Sequence, residues 1–89
     1  MYRNSYQITE DILDNLTKTN GTQVTTLVRQ SNLSYSRLIS FVSKLTQSGL
    51  INKVEVKGKN IFIITEKGRV YLQEYKKFST IAESFGLEL

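Results

Sequence analysis

Residues 32–51 read NLSYSRLISFVSKLTQSGLI, and the spacing inside this run decides the fold. Ser34 sits where a helix N-cap is needed, its hydroxyl able to accept from an amide of the first turn. Leu38, Val42 and Leu45 then recur at intervals of four and three, which is one buried helical stripe. Ser36, Arg37, Ser40, Ser43, Lys44 and Gln47 fall on the opposite face. Gly49 supplies a left-handed stop, and Leu50 and Ile51 start a strand. The run is therefore a capped amphipathic helix over 34–48 with a sharp exit.

Upstream, Ile8, Ile12, Leu13 and Leu16 give an apolar stripe to a first helix that starts between Ser5 and Thr9 and ends near Lys18, before Thr19-Asn20-Gly21. A short second helix follows over 23–30, with Thr22 as its expected N-cap and Val24, Leu27 and Val28 as its inward face. Ser31 and Asn32 form a tight turn, and Leu33 plugs the angle to the third helix. Downstream the period changes to two. Ile51, Lys53, Glu55 and Lys57 alternate with Leu50, Asn52, Val54 and Val56. Lys57-Gly58-Lys59-Asn60 makes a turn, and Ile61-Phe62-Ile63-Ile64 forms a second strand. Two strands with a basic tip directly after a helix-turn-helix describe a wing.

Thr65 caps a last helix with Glu66 in its first turn. Tyr71, Tyr75, Phe78, Ala82, Phe85 and Leu89 recur at intervals of 4, 3, 4, 3 and 4, an a/d heptad seam. A helix of about 23 residues extends roughly 35 Å and outruns a domain of this size, so its distal half calls for a partner. An identical chain is the simplest one. Val70 and Leu72 lie off the seam and are expected to pack back onto the domain. The fold class is thus α+β, mainly α: a winged helix-turn-helix of three helices and a two-stranded wing over residues 1–66, continued without a break by a dimerisation helix over 67–89.

Composition narrows the chemistry. The 89 residues contain no His and no Cys, which removes the commonest catalytic base, the thiolate nucleophile and nearly every transition-metal site. Glu10, Asp11 and Asp14 are the only carboxylate cluster, and they read as a solvated helix face rather than a catalytic one. No enzyme, cofactor or metal site is expected. No apolar run of 18 residues and no signal sequence is present, so a cytoplasmic, nucleoid-associated protein is expected. The net charge of +4 is uneven. Residues 29–69 hold eight cations and two carboxylates, for +6, while the segments before and after each carry −1. Positive charge is concentrated around the third helix and the hairpin, the footprint expected for a polyanion.

The run NLSYSRL, then Leu45, Gly49-Leu50-Ile51, and Ile64-Thr65-Glu66-Lys67-Gly68 with Leu72, resembles the small archaeal winged-helix DNA-binding proteins that dimerise through a C-terminal antiparallel coiled coil. The similarity spans roughly Ile8 to Leu72, and the tail matches in pattern. It implies a homodimeric, sequence-tolerant binder of double-stranded DNA or a simple transcription regulator, without enzymatic activity. The third helix then enters the major groove with Tyr35, Ser36, Arg37 and Ser40 as candidates to reach base edges, the serines, Ser34 included, serving phosphate positioning more than base specificity, and Lys44 on phosphate. Arg37 is the one forked donor suited to guanine. Tyr35 serves contact and core cover equally well. Lys57, Lys59 and Asn60 at the wing meet the backbone or minor groove, and Thr22, Thr25 and the amides opening the second helix are a weaker phosphate candidate. The competing reading is a winged-helix adaptor that binds protein alone, which has no need of +6 on one segment.

Overall fold

A computed structural model describes residues 4–87. Its elements are α1 (Ser5–Thr17), β1 (Thr22–Gln23), α2 (Val24–Ser31), α3 (Tyr35–Gln47), β2 (Ile51–Val56), β3 (Lys59–Ile64) and α4 (Glu66–Ser84). The strands form one antiparallel sheet in the order β1-β3-β2. Packing follows the apolar stripes. Ile8, Ile12, Leu13 and Leu16 of α1, Leu27 of α2, and Leu38, Val42 and Leu45 of α3 close on Leu50, Ile51, Phe62, Ile64 and Leu72. Leu33 is partly buried against this cluster, as expected of the residue filling the α2–α3 angle.

Three of the four helix starts, those of α1, α3 and α4, are fixed by a side-chain cap. Asn4 Oδ1 accepts from Gln7 N at 2.8 Å while Gln7 Oε1 accepts from Asn4 N at 3.1 Å, a reciprocal capping box that fixes the start of α1. Ser34 Oγ accepts from Arg37 N at 3.3 Å at the start of α3. Asn32 takes the left-handed conformation at φ 59° and turns the chain between α2 and α3, a role asparagine tolerates well. Gly49, at φ 82°, ends α3 as anticipated.

Three expectations need correction. The sheet has three strands, because Thr22 and Gln23 pair with Phe62 and Ile61 of β3. Thr22 is buried there and does not cap α2. Its hydroxyl lies 2.7 Å from that of Thr19, and Gln23 occupies the cap position without a side-chain bond. Pairing with β3 draws Thr22 into the sheet and away from the first-turn amides of α2. Gly21 lets the segment come this close, since a Cβ there would run into the Ile61 side chain. Second, α4 has 19 residues and ends at Ser84. Gly86, at φ 78°, closes a Schellman motif in which Gly86 N donates to Glu83 O and Leu87 N to Ala82 O, each at 2.9 Å. Phe85 is the C-cap residue rather than a helical seam position, and Leu89 lies outside the described residues. Third, Val70 is exposed and does not pack back, whereas Leu72 is buried.

Thr65 joins the pieces that matter for function. Its hydroxyl approaches Gly49 O at 2.6 Å and Leu50 O at 3.0 Å as donor, and accepts from Gly68 N at 3.0 Å. Its amide also donates to Leu50 O at 3.1 Å. One side chain thus ties the end of α3, the start of β2 and the start of α4. Thr65→Val keeps the shape, removes the cap and leaves carbonyls short of a donor, at a cost of about 2 kcal/mol. In a domain this small that corresponds to a fall in melting midpoint of roughly 10 °C, measured by circular dichroism.

Candidate nucleic-acid interface

The burial phase of α3 defines its outward face. Leu38, Val42 and Leu45 are buried. Ser36, Ser40, Ser43 and Gln47, at intervals of 4, 3 and 4, are exposed and lie opposite them. Arg37 and Lys44, seven residues apart, share one flank of this strip, and both are exposed. Ile39 and Thr46 share the other flank, which borders a cleft of about 290 Å³ toward the sheet, lined also by Ser43, Gln47, Lys53 and Phe62. The outward face is therefore a polar strip of small hydroxyls with cations on either side. Tyr35 is 61% exposed, which separates it from the core it was equally able to cover.

The wing is tighter than expected. Its turn is Lys57-Gly58 alone, both at positive φ (52° and 77°), the two-residue type I′ geometry that matches strand twist. Lys59 and Asn60 belong to β3 and pair with Val56 and Glu55. Lys57, Lys59 and Asn60 are all exposed, so the hairpin end carries its charge outward. Thr25 is exposed near the start of α2, whereas Thr22 is buried in β1 and drops out of any phosphate site there.

Ion pairing divides the cations into two groups. Lys76 binds Asp14 at 2.9 Å and joins α4 to α1; that hydrogen-bonded carboxylate, more than its burial, governs the ammonium and raises its pKa. Lys77 pairs with Glu74 at 3.5 Å. Among the described residues, none of the eight cations between Arg29 and Arg69 has a carboxylate partner. Asp14 being engaged by Lys76 also leaves the acidic cluster on α1 with a structural task. Among the described residues no group of three or more His, Cys, Asp or Glu could hold a metal ion, and no helix is long and apolar enough to cross a membrane.

The seam on α4 is only partly core. Tyr71 packs against the core, and its ring stacks on Tyr75 at 6.3 Å, which in turn stacks on Tyr6 of α1 at 6.3 Å. Burial raises the pKa of both Tyr71 and Tyr75, with nearby acidic and phenolic groups adding to it, so both rings stay neutral. Phe78 and Phe85 are 58% and 77% exposed, and Ile81 and Leu87 beside them are also exposed. Ala82 is buried but stands apart from the core cluster.

Ser43, Gln47 and Lys53 were not among the site residues expected from sequence. The signal for the first two was present in the 4-3-4 spacing with Ser36 and Ser40. Lys53 needed the strand register, which sets it opposite Phe62 and turns it toward α3.

Three helices, a basic hairpin packed beside the third, and an outward polar face on that third helix define a winged helix-turn-helix module. The chain belongs to the winged helix-turn-helix family, whose profile matches residues 2–83. Its fold is similar to that of Sso10a-2, a DNA-binding protein from Sulfolobus solfataricus, with TM-score 0.82 and 24% identity over 93% of this chain and 85% of that one. It is also similar to the transcriptional regulator BldR from Sulfolobus solfataricus (TM-score 0.75, 21% identity, 90% of this chain and 60% of that one). A third match is the MarR family regulator SPO1453 from Silicibacter pomeroyi (TM-score 0.70, 19% identity, 86% and 56%). The chain thus spans less than two thirds of the latter two. No curated protein matches it. The likeness to archaeal winged-helix DNA-binding proteins, first carried by a few short motifs, holds across the whole fold.

Proposed function

We propose that this chain binds double-stranded DNA as a homodimer, acting as a transcriptional regulator or nucleoid-associated protein rather than as an enzyme. The observation that carries the reading is the set of eight exposed or solvent-reaching cations between Arg29 and Arg69, none paired with a carboxylate among the described residues. A protein that did not meet a polyanion would gain solubility from such charges with ordinary surface pairing. An adaptor has no use for leaving them all open. The similarity to a DNA-binding protein and to transcriptional regulators points the same way.

In this reading α3 lies in the major groove. Ser34, Ser36 and Ser40 make close, adaptable contacts, Tyr35 packs on the groove wall, Arg37 reaches a guanine edge and Lys44 holds phosphate. Lys57, Lys59 and Asn60 meet the backbone or the adjacent minor groove. Lys57 occupies a left-handed position that asparagine or glycine fills at less cost. A lysine kept there supports a use for its charge. Lys57→Ala/Lys59→Ala should weaken binding alike on a random duplex and on the chain's own upstream region. The slope of log affinity against log salt should flatten by about 1.8 per protomer. An unchanged slope in a fluorescence anisotropy titration removes the wing from the interface.

Dimerisation rests on the exposed end of α4. Tyr71, Tyr75 and Phe78 lie on one stripe, continued past the helix by Phe85, and this stripe is offered to a second helix, whereas Ala82, on the same stripe, is already covered within the chain. The occupant is a second copy of the chain, and the shorter helix makes this a contact of about two heptads. Sedimentation at high micromolar concentration should give a dimer, and Phe78→Asp a monomer of unchanged helicity. A monomeric wild type refutes the pairing.

A further inference from the structure

We propose that the cleft between α3 and β2 is a docking site for one DNA sugar-phosphate backbone, held by Lys53, Ser43 and Gln47. The assignment rests on the DNA-binding reading above and extends it to residues that reading does not use. If α3 lies in one groove and the Lys57-Gly58 tip reaches the next, the ridge between grooves has to pass between them. That ridge is a sugar-phosphate strand, apolar on its deoxyribose and anionic on its phosphates. The cleft of about 290 Å³ at this place has a matching composition.

Its floor is apolar, with Ile39, Val42 and Phe62, and suits a deoxyribose face. Its rim supplies Lys53, Ser43 and Gln47, none of which has a hydrogen-bond or ion-pair partner among the described residues. Thr46 also lines the cleft, but its hydroxyl donates to Val42 O at 2.8 Å, so it offers no proton to a phosphate. No carboxylate lines the cleft, although Glu55 stands two residues along β2 on the same side as Lys53. The donors come from two elements fixed to each other by packing: Val42 of α3 and Ile51 of β2 are both buried in one core. The gap between helix and wing is therefore set before DNA arrives, and a phosphate held across it fixes how deeply α3 sits. Lys53 adds a point charge, while Ser43 and Gln47 add directed donors.

The test compares wild type with Lys53→Gln and with Ser43→Ala/Gln47→Ala on a 25-base-pair random duplex, by anisotropy across a salt series. Phosphate-ethylation interference is run on the same duplex. Lys53→Gln should flatten the log–log salt slope by about 0.9 per protomer, so its affinity loss from 50 to 200 mM salt is about three-fold smaller than wild type's. The double variant should weaken binding with the slope intact. Interference should vanish in Lys53→Gln at the phosphates between the major- and minor-groove contacts, and persist at those lost in Lys57→Ala/Lys59→Ala. Wild-type slope and interference pattern in Lys53→Gln, with wild type binding DNA, overturn the cleft assignment alone. Failure of wild type to bind duplex overturns the DNA reading and the cleft with it. Unchanged circular dichroism of the variants, expected for exposed positions, excludes misfolding as the cause.

Discussion

Gly68→Ala is expected to lower the melting midpoint by at least about 12 °C, or to abolish the cooperative transition. Alanine in place of glycine inside a helix ordinarily stabilises by about 1 kcal/mol, so the predicted sign is opposite to the local rule. Gly68 lies in the first turn of α4 and is buried. A Cβ there would run into the carbonyl oxygen of Leu50 and sit 2.8 Å from Ile64 Cγ1. That carbonyl cannot give way cheaply, because it accepts from both the amide and the hydroxyl of Thr65. Relief requires the first turn of α4 to lift from Leu50 and break those bonds, for a net loss of about 3 kcal/mol or more out of a total stability near the lower end of 5–15 kcal/mol. Gly58→Asn is the matching control. The tip is open and asparagine tolerates its positive φ, so the midpoint should hardly move. A Gly68→Ala protein as stable as wild type would mean that the first turn of α4 does not sit against the Leu50 carbonyl as described.

The second large effect is on binding and follows from unpaired charge. If about six cations per protomer neutralise phosphates, log affinity falls with log salt at a slope near −5. Raising salt from 50 to 200 mM should then cost about a thousandfold in affinity per protomer. Arg37→Ala should weaken binding further on guanine-containing sites than on others, by about 1–3 kcal/mol for a bidentate contact. The serines on either side of it offer little base discrimination. In the proposed dimer, sequence preference depends on pairing two α3 helices through α4, with the Thr65 tie between α3 and α4 holding their relative setting.

Much of this was legible in the residues. The stripe Leu38-Val42-Leu45, the Ser34 cap and Gly49 located α3 within a residue at each end, and the switch from period 3.6 to period 2 located the hairpin. What escaped did so for physical reasons. β1 is two residues long and has no period of its own; its existence depends on β3 passing beside Gly21. Thr22 looked like a cap because Ser, Thr, Asp and Asn before an apolar stripe usually are, yet pairing with β3 took it into the sheet one residue before the cap position. The end of α4 was overrun because heptad spacing continues through Phe85 to Leu89, whereas Gly86 adopts a left-handed conformation that spacing does not register. The outward face of α3 was readable, but its division into an Arg37–Lys44 flank and a wing flank required knowing where β2 packs. Lys53 joined the site only through its register opposite Phe62.

DNA contact is the proposed role of the open cations between Arg29 and Arg69. A fluorescence anisotropy titration of the wild-type chain on a random duplex, repeated from 50 to 200 mM salt, tests it most directly. Binding is expected at low salt, with a loss of about a thousandfold or more across that range. Affinity that stays flat, or no binding at 50 mM, would contradict it.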